Sequence, residues 1–299
     1  METVPKSLFR AGLIGRGIQA SLTPAMHMAE GQAQGIDYSY DLLDLDRIPD
    51  AEAHLSDLIA DAQRNGFGGI NVTHPCKQAA ISFVDTLSED AAALGAINTI
   101  VLRDGQRRGY NTDWWGFAES FRRGLPGADL AAVVQLGAGG AGAATAYAIL
   151  SLGAAQLSIF DRDQARAEAL AENMQTHFPR AVIEAGRDLA KAMANASGLI
   201  HATPTGMSKY PGLPLDADLL GPSLWVAEIV YFPLTTQLLA EARRRGCRVL
   251  DGGGMAVFQA VKAFHLFTGI EPDAERMWRH FADLTGPSSK PGLAAGVGG

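Results

Sequence analysis

Apolar and polar positions along the chain alternate between short apolar runs that suit buried strands and longer stretches with a helical period. In the first third, residues 9–14, 37–45 and 69–73 predict strands. Residues 23–34 predict a helix opened by Thr23 with Pro24 at its first position, and 50–65 an amphipathic helix. Further helices are expected over 77–83 and 88–94, and a hairpin pairs 98–103 with 107–111 across Asp104-Gly105. Strands separated by helices imply a largely parallel sheet.

From about Trp114 a second α/β unit begins. An apolar run at 131–136 leads through a glycine turn into a small-residue helix at 141–152, then strand 156–160, helix 162–177, and strands 198–201 and 224–229. This strand, turn, helix order is that of a doubly wound nucleotide-binding domain. Residues 255–267 and 273–284 read as helices with no strand after them, so they are expected to cross back to the first unit. The predicted fold class is α/β in two domains: a first domain from 1–113 plus 252–286, and a Rossmann dinucleotide-binding domain over 114–251. A disordered tail is expected at 287–299.

Composition narrows the function classes. The 299 residues carry 25 Lys plus Arg against 32 Asp plus Glu, a net charge of −7, which argues against a nucleic-acid partner. The two cysteines, Cys76 and Cys247, offer neither a disulfide framework nor a metal-ligand spacing, so no metal is expected. No run approaches the ~18 apolar residues of a membrane span, and residues 1–10 lack the apolar core of a signal peptide. A cytoplasmic protein with a small-molecule substrate, monomeric or homodimeric, is the expectation. The absence of His-Glu-x-x-His, Gly-x-Ser-x-Gly and a Walker loop removes support for zinc hydrolysis, serine hydrolysis and nucleoside triphosphate use.

The strongest motif is Gly137-Ala138-Gly139-Gly140-Ala141-Gly142, which follows an apolar strand, opens a helix and has Asp161 at the end of the next strand. Glycines let the backbone approach a pyrophosphate, the helix N-terminus favours its charge, and the acid accepts hydrogen bonds from the adenosine ribose. Three polar clusters lie in the first domain: Ser21-Leu22-Thr23-Pro24, the heptapeptide from Asn71 to Lys77, and Asn98-Thr99 with Asn111-Thr112-Asp113. Each has an ordinary local explanation in helix capping, strand exit or turn chemistry. Together they fall where predicted strands end, the edge at which open α/β sheets bind ligands.

These pieces, in order, resemble the shikimate dehydrogenase family. The matches are Gly12-Leu13-Ile14-Gly15, Ser21-x-Thr23-Pro24, Asn71-Val72-Thr73-x-Pro75-x-Lys77, Gly95-Ala96-x-Asn98-Thr99 and Asn111-Thr112-Asp113-x-x-Gly116. They continue through the glycine turn, Ala202-Thr203-Pro204-x-Gly206-Met207, Val230-Tyr231-x-Pro233 and Gly254-Met255-x-x-x-Gln259-Ala260. With Thr23 in place of a second Ser, the chain is most similar to the quinate/shikimate dehydrogenase branch. The resemblance implies a catalytic pair, Lys77 and Asp113, and substrate contacts from Ser21, Thr23, Thr73, Asn98, Tyr231 and Gln259. It also implies cofactor contacts from Gly137, Ala138, Gly139, Gly140, Ala141, Asp161, Arg162, Thr203, Ile229, Gly252 and Met255.

Where NADP-using members usually carry Asn-Arg-Thr, this chain reads Asp161-Arg162-Asp163, and two acids against one base favour NAD with residual NADP use. Other departures from the family pattern are Ala20, His201 in place of Asn, Glu228 in place of Asp, and Gln237. The expected reaction is NAD-linked oxidation of the ring 3-hydroxyl of quinate or shikimate, and its reverse. The alternatives are an NADP-dependent shikimate or aminoshikimate dehydrogenase and, disfavoured by the intact Lys77 and Asp113, a quinate sensor without turnover.

Overall fold

The computed structural model describes residues 8–48 and 54–286. The expected tail and the start of the helix predicted over 50–65 lie outside them. Two six-stranded sheets organise the chain. The first contains β1 (Phe9–Gly15), β2 (Tyr38–Asp44), β3 (Phe67–Val72), β4 (Thr86–Leu87), β5 (Thr99–Arg103) and β6 (Gln106–Tyr110), in the order β2-β1-β3-β5-β6-β4. Helices α1 (Thr23–Ala33), α2 (Leu55–Arg64) and α3 (Glu89–Leu94) connect its strands. β1 runs parallel to β2 and β3, while β5 lies antiparallel to β3 and β6. The β5–β6 hairpin turns on Asp104 and Gly105, both at positive φ, as the sequence signal requires.

The second sheet is parallel throughout. Its strands β7 (Val133–Leu136), β8 (Gln156–Phe160), β9 (Val182–Ala185), β10 (Gly198–His201), β11 (Trp225–Glu228) and β12 (Arg248–Leu250) lie in the order β12-β11-β10-β7-β8-β9. That is the doubly wound order, with its switch point between β7 and β10. Helices α5 (Gly140–Ser151), α6 (Gln164–His177), α7 (Leu189–Ala194) and α8 (Gln237–Arg244) cover its faces, and α4 (Asp113–Gly124) leads in from the first sheet. Strands β9 and β12, which the apolar pattern does not reveal, are the two edges, where exposed residues such as Glu184 and Arg248 break the apolar run.

After β12 come α9 (Gly253–Thr268) and α10 (Ala274–Thr285). The chain now returns: the Phe267 ring sits over Gly69 so closely that a Cβ there would lie 2.0 Å from it, and Arg103 donates to the Phe267 carbonyl at 2.8 Å. Helix α10 is clasped to α1 by buried Glu30, which accepts from Arg276 Nε at 2.7 Å and the Asp273 amide at 2.9 Å. Residues 77–83 differ from expectation, forming only a short 3-10 turn at Ala79–Phe83. The Lys77 carbonyl is taken by the Ile97 amide at 2.9 Å, so it is not free to start an α-helical ladder.

Candidate active site

On the first sheet, chain direction gathers the polar clusters at one edge. β1 and β3 are parallel, so the loops after Gly15 and after Val72 leave from the same side. β5 is antiparallel to β3 and pairs Thr99 with Asn71, which starts it on that side, and β6 ends there with Tyr110 opposite Thr99. Ser21, Thr23, Thr73, Lys77, Asn98 and Asp113 are thereby brought to one rim. Glycine lets the loops close up, since a Cβ on Gly15 would lie 2.2 Å from Thr73 Cγ2. Ser21 Oγ accepts from the Thr23 amide at 3.4 Å, fixing the entry to α1.

Lys77 Nζ donates to Asp113 Oδ2 at 2.5 Å, with the lysine side chain 25% exposed and that of the aspartate 11%. The other carboxylate oxygen, Oδ1, accepts from Asn98 Nδ2 at 2.9 Å. Asn98 also donates to Thr112 Oγ1, and its Oδ1 accepts from the Thr112 amide at 2.7 Å and from Thr99 Oγ1 at 2.9 Å. Asn71 supports this layer through Thr99 Oγ1 at 3.0 Å and is itself held by Tyr40 at 2.7 Å. Asp113 opens α4, where a negative charge is favoured by the helix dipole. Of the three N–H donors on the lysine, one is committed to Asp113, which leaves the others for an oxygen brought to this rim.

The second sheet presents its own edge. Gly137 follows β7 with φ +105°, and a Cβ there would stand 2.5 Å from the Ala202 carbonyl oxygen. Gly142 packs against the Gly137 carbonyl, where a Cβ would meet it at 2.2 Å. Gly139 and Gly140 are different: a Cβ on either meets nothing within 4 Å, and α5 begins there without a side-chain cap. A tight turn below and open space above an uncapped helix N-terminus fit a dinucleotide pyrophosphate. Asp161, just past β8, accepts from the Ala138 amide at 2.8 Å and the Asp163 amide at 2.9 Å. Asp163 caps α6 and pairs with Arg166 at 3.3 Å, whereas exposed Arg162 makes no ion pair among the described residues.

Close backbone contacts bring the two edges together. α9 crosses α4 at Gly116, where a Cβ would lie 2.6 Å from the Gln259 amide nitrogen and 2.9 Å from the Met255 carbonyl oxygen, and at Gly254 against Ser120. Gly252 packs on the Ile229 and Val230 carbonyls, leading the chain to Tyr231. Partial burial of Tyr231, still 41% exposed, lifts its phenol above the usual range, and the charge of Asp113 adds to the lift. Tyr231 therefore lies within electrostatic reach of Asp113. Gln259 donates its side-chain amide back to the Ala256 carbonyl at 3.0 Å, and among the described residues it forms no hydrogen bond with the other substrate candidates.

Several residues outside the predicted set support the site. Gln135, fully buried in the otherwise apolar β7, donates to the Gly137 and Gly142 carbonyls at 2.9 and 2.8 Å and accepts from Thr145. A lone amide in a strand just before a glycine turn was the available signal. Asn71, Thr99 and Thr112 stand in the quoted motifs, but only the fold shows them bracing Asn98. Among the described residues no three metal-ligating side chains gather, and no helix is long and apolar enough to cross a membrane.

A doubly wound sheet with an open glycine turn, facing a second α/β domain whose rim holds a Lys–Asp pair, defines a two-domain dehydrogenase. Comparison with known proteins identifies its family. Residues 13–100 match the shikimate dehydrogenase substrate binding domain and residues 252–280 the shikimate 5'-dehydrogenase C-terminal domain. A shikimate dehydrogenase (NADP(+)) of Streptomyces avermitilis is 53% identical, covering 94% of this chain and 97% of that one. A quinate/shikimate dehydrogenase (NAD(+)) of Corynebacterium efficiens is 47% identical, over 91% and 97%. The structure of quinate dehydrogenase from Corynebacterium glutamicum in complex with NAD is similar with a TM-score of 0.89, at 44% identity and over 92% and 99% of the two chains. The chain belongs to the shikimate dehydrogenase family, and it is an enzyme of the shikimate/quinate dehydrogenase class that uses a pyridine nucleotide.

Proposed function

We propose that this chain is an NAD-linked dehydrogenase that interconverts quinate and shikimate with their 3-dehydro acids at the ring 3-hydroxyl. The observation that carries the choice of nucleotide is Asp161, a carboxylate fixed by two backbone amides at the end of β8. There it accepts hydrogen bonds from a free ribose and repels a phosphate. Residues 1–113 with 252–286 form the substrate domain and 114–251 the dinucleotide domain, a division supported by the return of Phe267 onto Gly69.

In this reading the hydroxyls of Ser21, Thr23 and Tyr231 hold the substrate carboxylate, and Thr73, Asn98, Asp113 and Gln259 hold ring hydroxyls, which both donate and accept. Lys77 acts as the amine when it takes the proton from the 3-hydroxyl oxygen in oxidation and as the ammonium when it returns that proton in reduction, while Asp113 orients its side chain. The bound dinucleotide supplies the partner for hydride transfer. Gly137, Ala138, Gly139, Gly140 and Ala141 hold its pyrophosphate, Asp161 and Arg162 the adenosine end, and Thr203, Ile229, Gly252 and Met255 the nicotinamide end.

A second reading, an NADP-dependent shikimate dehydrogenase, is favoured by Arg162, which is exposed and free to meet a 2′-phosphate. Initial rates with quinate and shikimate, each against NAD and NADP, separate the two. Oxidation of both acids with NAD ahead by at least about tenfold in kcat/KM, a difference of ~1.4 kcal/mol, is the expected result. A preference for NADP selects the second reading. Absence of quinate turnover leaves a shikimate enzyme.

A further inference from the structure

His201 and Glu228 end the adjacent parallel strands β10 and β11, paired in register, and both side chains are fully buried. His201 Nδ1 lies 2.9 and 3.0 Å from the two oxygens of Glu228. The carboxylate also accepts from the Val230 amide at 3.0 Å and from Thr236 Oγ1 at 3.1 Å. On its other side, His201 Nε2 lies 2.5 Å from Thr203 Oγ1, which accepts from the Thr205 amide at 3.3 Å. One proton assignment uses every partner: Nδ1 donates to Glu228, Nε2 accepts the Thr203 hydroxyl proton, and Thr203 keeps a lone pair for Thr205.

This network reaches both loops at the switch-point edge. Through Thr203 it fixes the segment after β10, whose Ala202 carbonyl packs on Gly137 of the glycine turn. Through the Val230 amide it fixes the segment after β11, which packs on Gly252 and continues to Tyr231. A buried polar network is retained only when its members are satisfied, and this one spends all its bonds on holding two loop segments.

We propose that His201 is a positioning residue for the dehydrogenase reaction: its bond to Thr203, backed by Glu228, sets the wall of the dinucleotide pocket beside the substrate rim. The proposal rests on the reading of Thr203 and Tyr231 given above. It makes the Nε2 to Oγ1 bond the transmitting element, so the two ends of that bond must behave as one unit.

The test uses the full-length enzyme and two readouts, dinucleotide Kd by titration calorimetry and kcat for shikimate oxidation. His201→Asn keeps a nitrogen in the place of Nδ1 but loses reach to Thr203, and Thr203→Val removes the other end. Each is expected to raise Kd and lower kcat by about tenfold, misplacement alone being able to cost up to ~10²-fold. The double variant should lose no more than the worse single one. Thr203→Ser, which retains the hydroxyl, should lose less than Thr203→Val on both readouts.

Additive losses in the double variant, or a folded His201→Asn enzyme with parental Kd and kcat, would overturn the proposal while leaving the function intact. Should His201→Asn not fold, the contrast between Thr203→Val and Thr203→Ser decides: equal Kd and kcat for those two overturns it. A parent enzyme that oxidised neither acid would overturn the functional reading and this proposal with it.

Discussion

The two sheets place their functional edges by the same rule and build them from opposite materials. On the first sheet the rim is made of side chains: the amide of Asn98 alone bonds Thr99, Thr112 and Asp113, and Asp113 holds Lys77. On the second sheet the rim is made of backbone, with Gly137 and Gly142 packed below and Gly139 and Gly140 open above. In the proposed function, a wall of side chains recognises particular substrate groups and fails when one of its own is changed. In the proposed reading, a wall of backbone binds what all dinucleotides share and leaves the choice between them to a few residues at its margin, chiefly Asp161 and Arg162.

The largest effect should come from breaking the first wall alone. Lys77→Ala and Asp113→Asn are each expected to lower kcat by ~10²-fold or more, the worth of a positioned acid/base. Dinucleotide Kd, measured by calorimetry, should stay within about twofold for Lys77→Ala, because the lysine belongs to the other rim. Turnover within about threefold of the parent would remove the pair from the mechanism.

Behind that same wall, α1 buries His27 among Tyr38, Tyr40, Phe264 and Phe267. Burial pulls its imidazole from the ordinary 6.5 down to about 3, against a smaller opposing pull from the Ala260 backbone. The folded chain therefore keeps His27 neutral where the unfolded chain protonates it. Its contribution is complete above about pH 6.5 and is lost progressively as the pH falls towards 3. Between those limits the slope approaches ~1.4 kcal/mol per pH unit. Urea unfolding of the parent at pH 6 and pH 4.5 should show a steeper loss than His27→Gln, whose neutral side chain removes that proton. Parallel losses would mean that His27 is not the group responsible.

The second wall is tested where it is open. A Cβ on Gly139 meets nothing within 4 Å, and its backbone lies at a negative φ that alanine adopts without strain. Gly139→Ala should therefore leave the urea midpoint unchanged while raising the dinucleotide Kd by about tenfold, since the methyl stands where the pyrophosphate must approach the backbone. Gly137→Ala, at φ +105° and against Ala202, should cost stability as well. Equal stability losses in the two variants would show that the turn is not divided in this way.

The same division explains what was legible in the sequence. Local geometry leaves local marks, so the glycine turn, the Asp104-Gly105 hairpin and strands 156–160 and 198–201 can be read before folding. The rim of the first sheet is legible only as separate clusters, because β5 reverses direction to bring Asn98 beside Asp113 and nothing local encodes that reversal. His201 and Glu228 read as two unrelated departures from the family pattern. Only the register of β10 with β11 makes them partners. The 3-10 turn after Lys77 is missed for a similar reason, since a distant amide, Ile97, takes the carbonyl that a helix would need.

The smallest effect concerns the margin of the backbone wall, where charge decides between two nucleotides that the turn itself treats alike. Asp161 brings a carboxylate held by the Ala138 and Asp163 amides, and Asp163 brings another that is partly spent on Arg166. Arg162 opposes them with an exposed guanidinium. A 2′-phosphate arriving here meets repulsion from Asp161 and attraction from Arg162, and at an exposed site both are screened by solvent and salt. Asp161→Asn removes the repulsion and keeps one side-chain oxygen, so only one of the two amides retains its acceptor and the turn is held by a single such bond. Its kcat/KM with NADP should rise by about three- to fivefold while that with NAD falls less, narrowing the preference from the NADP side. A preference unmoved by the substitution would assign the choice to Arg162, and Arg162→Ala would then become the variant that shifts it, by weakening NADP.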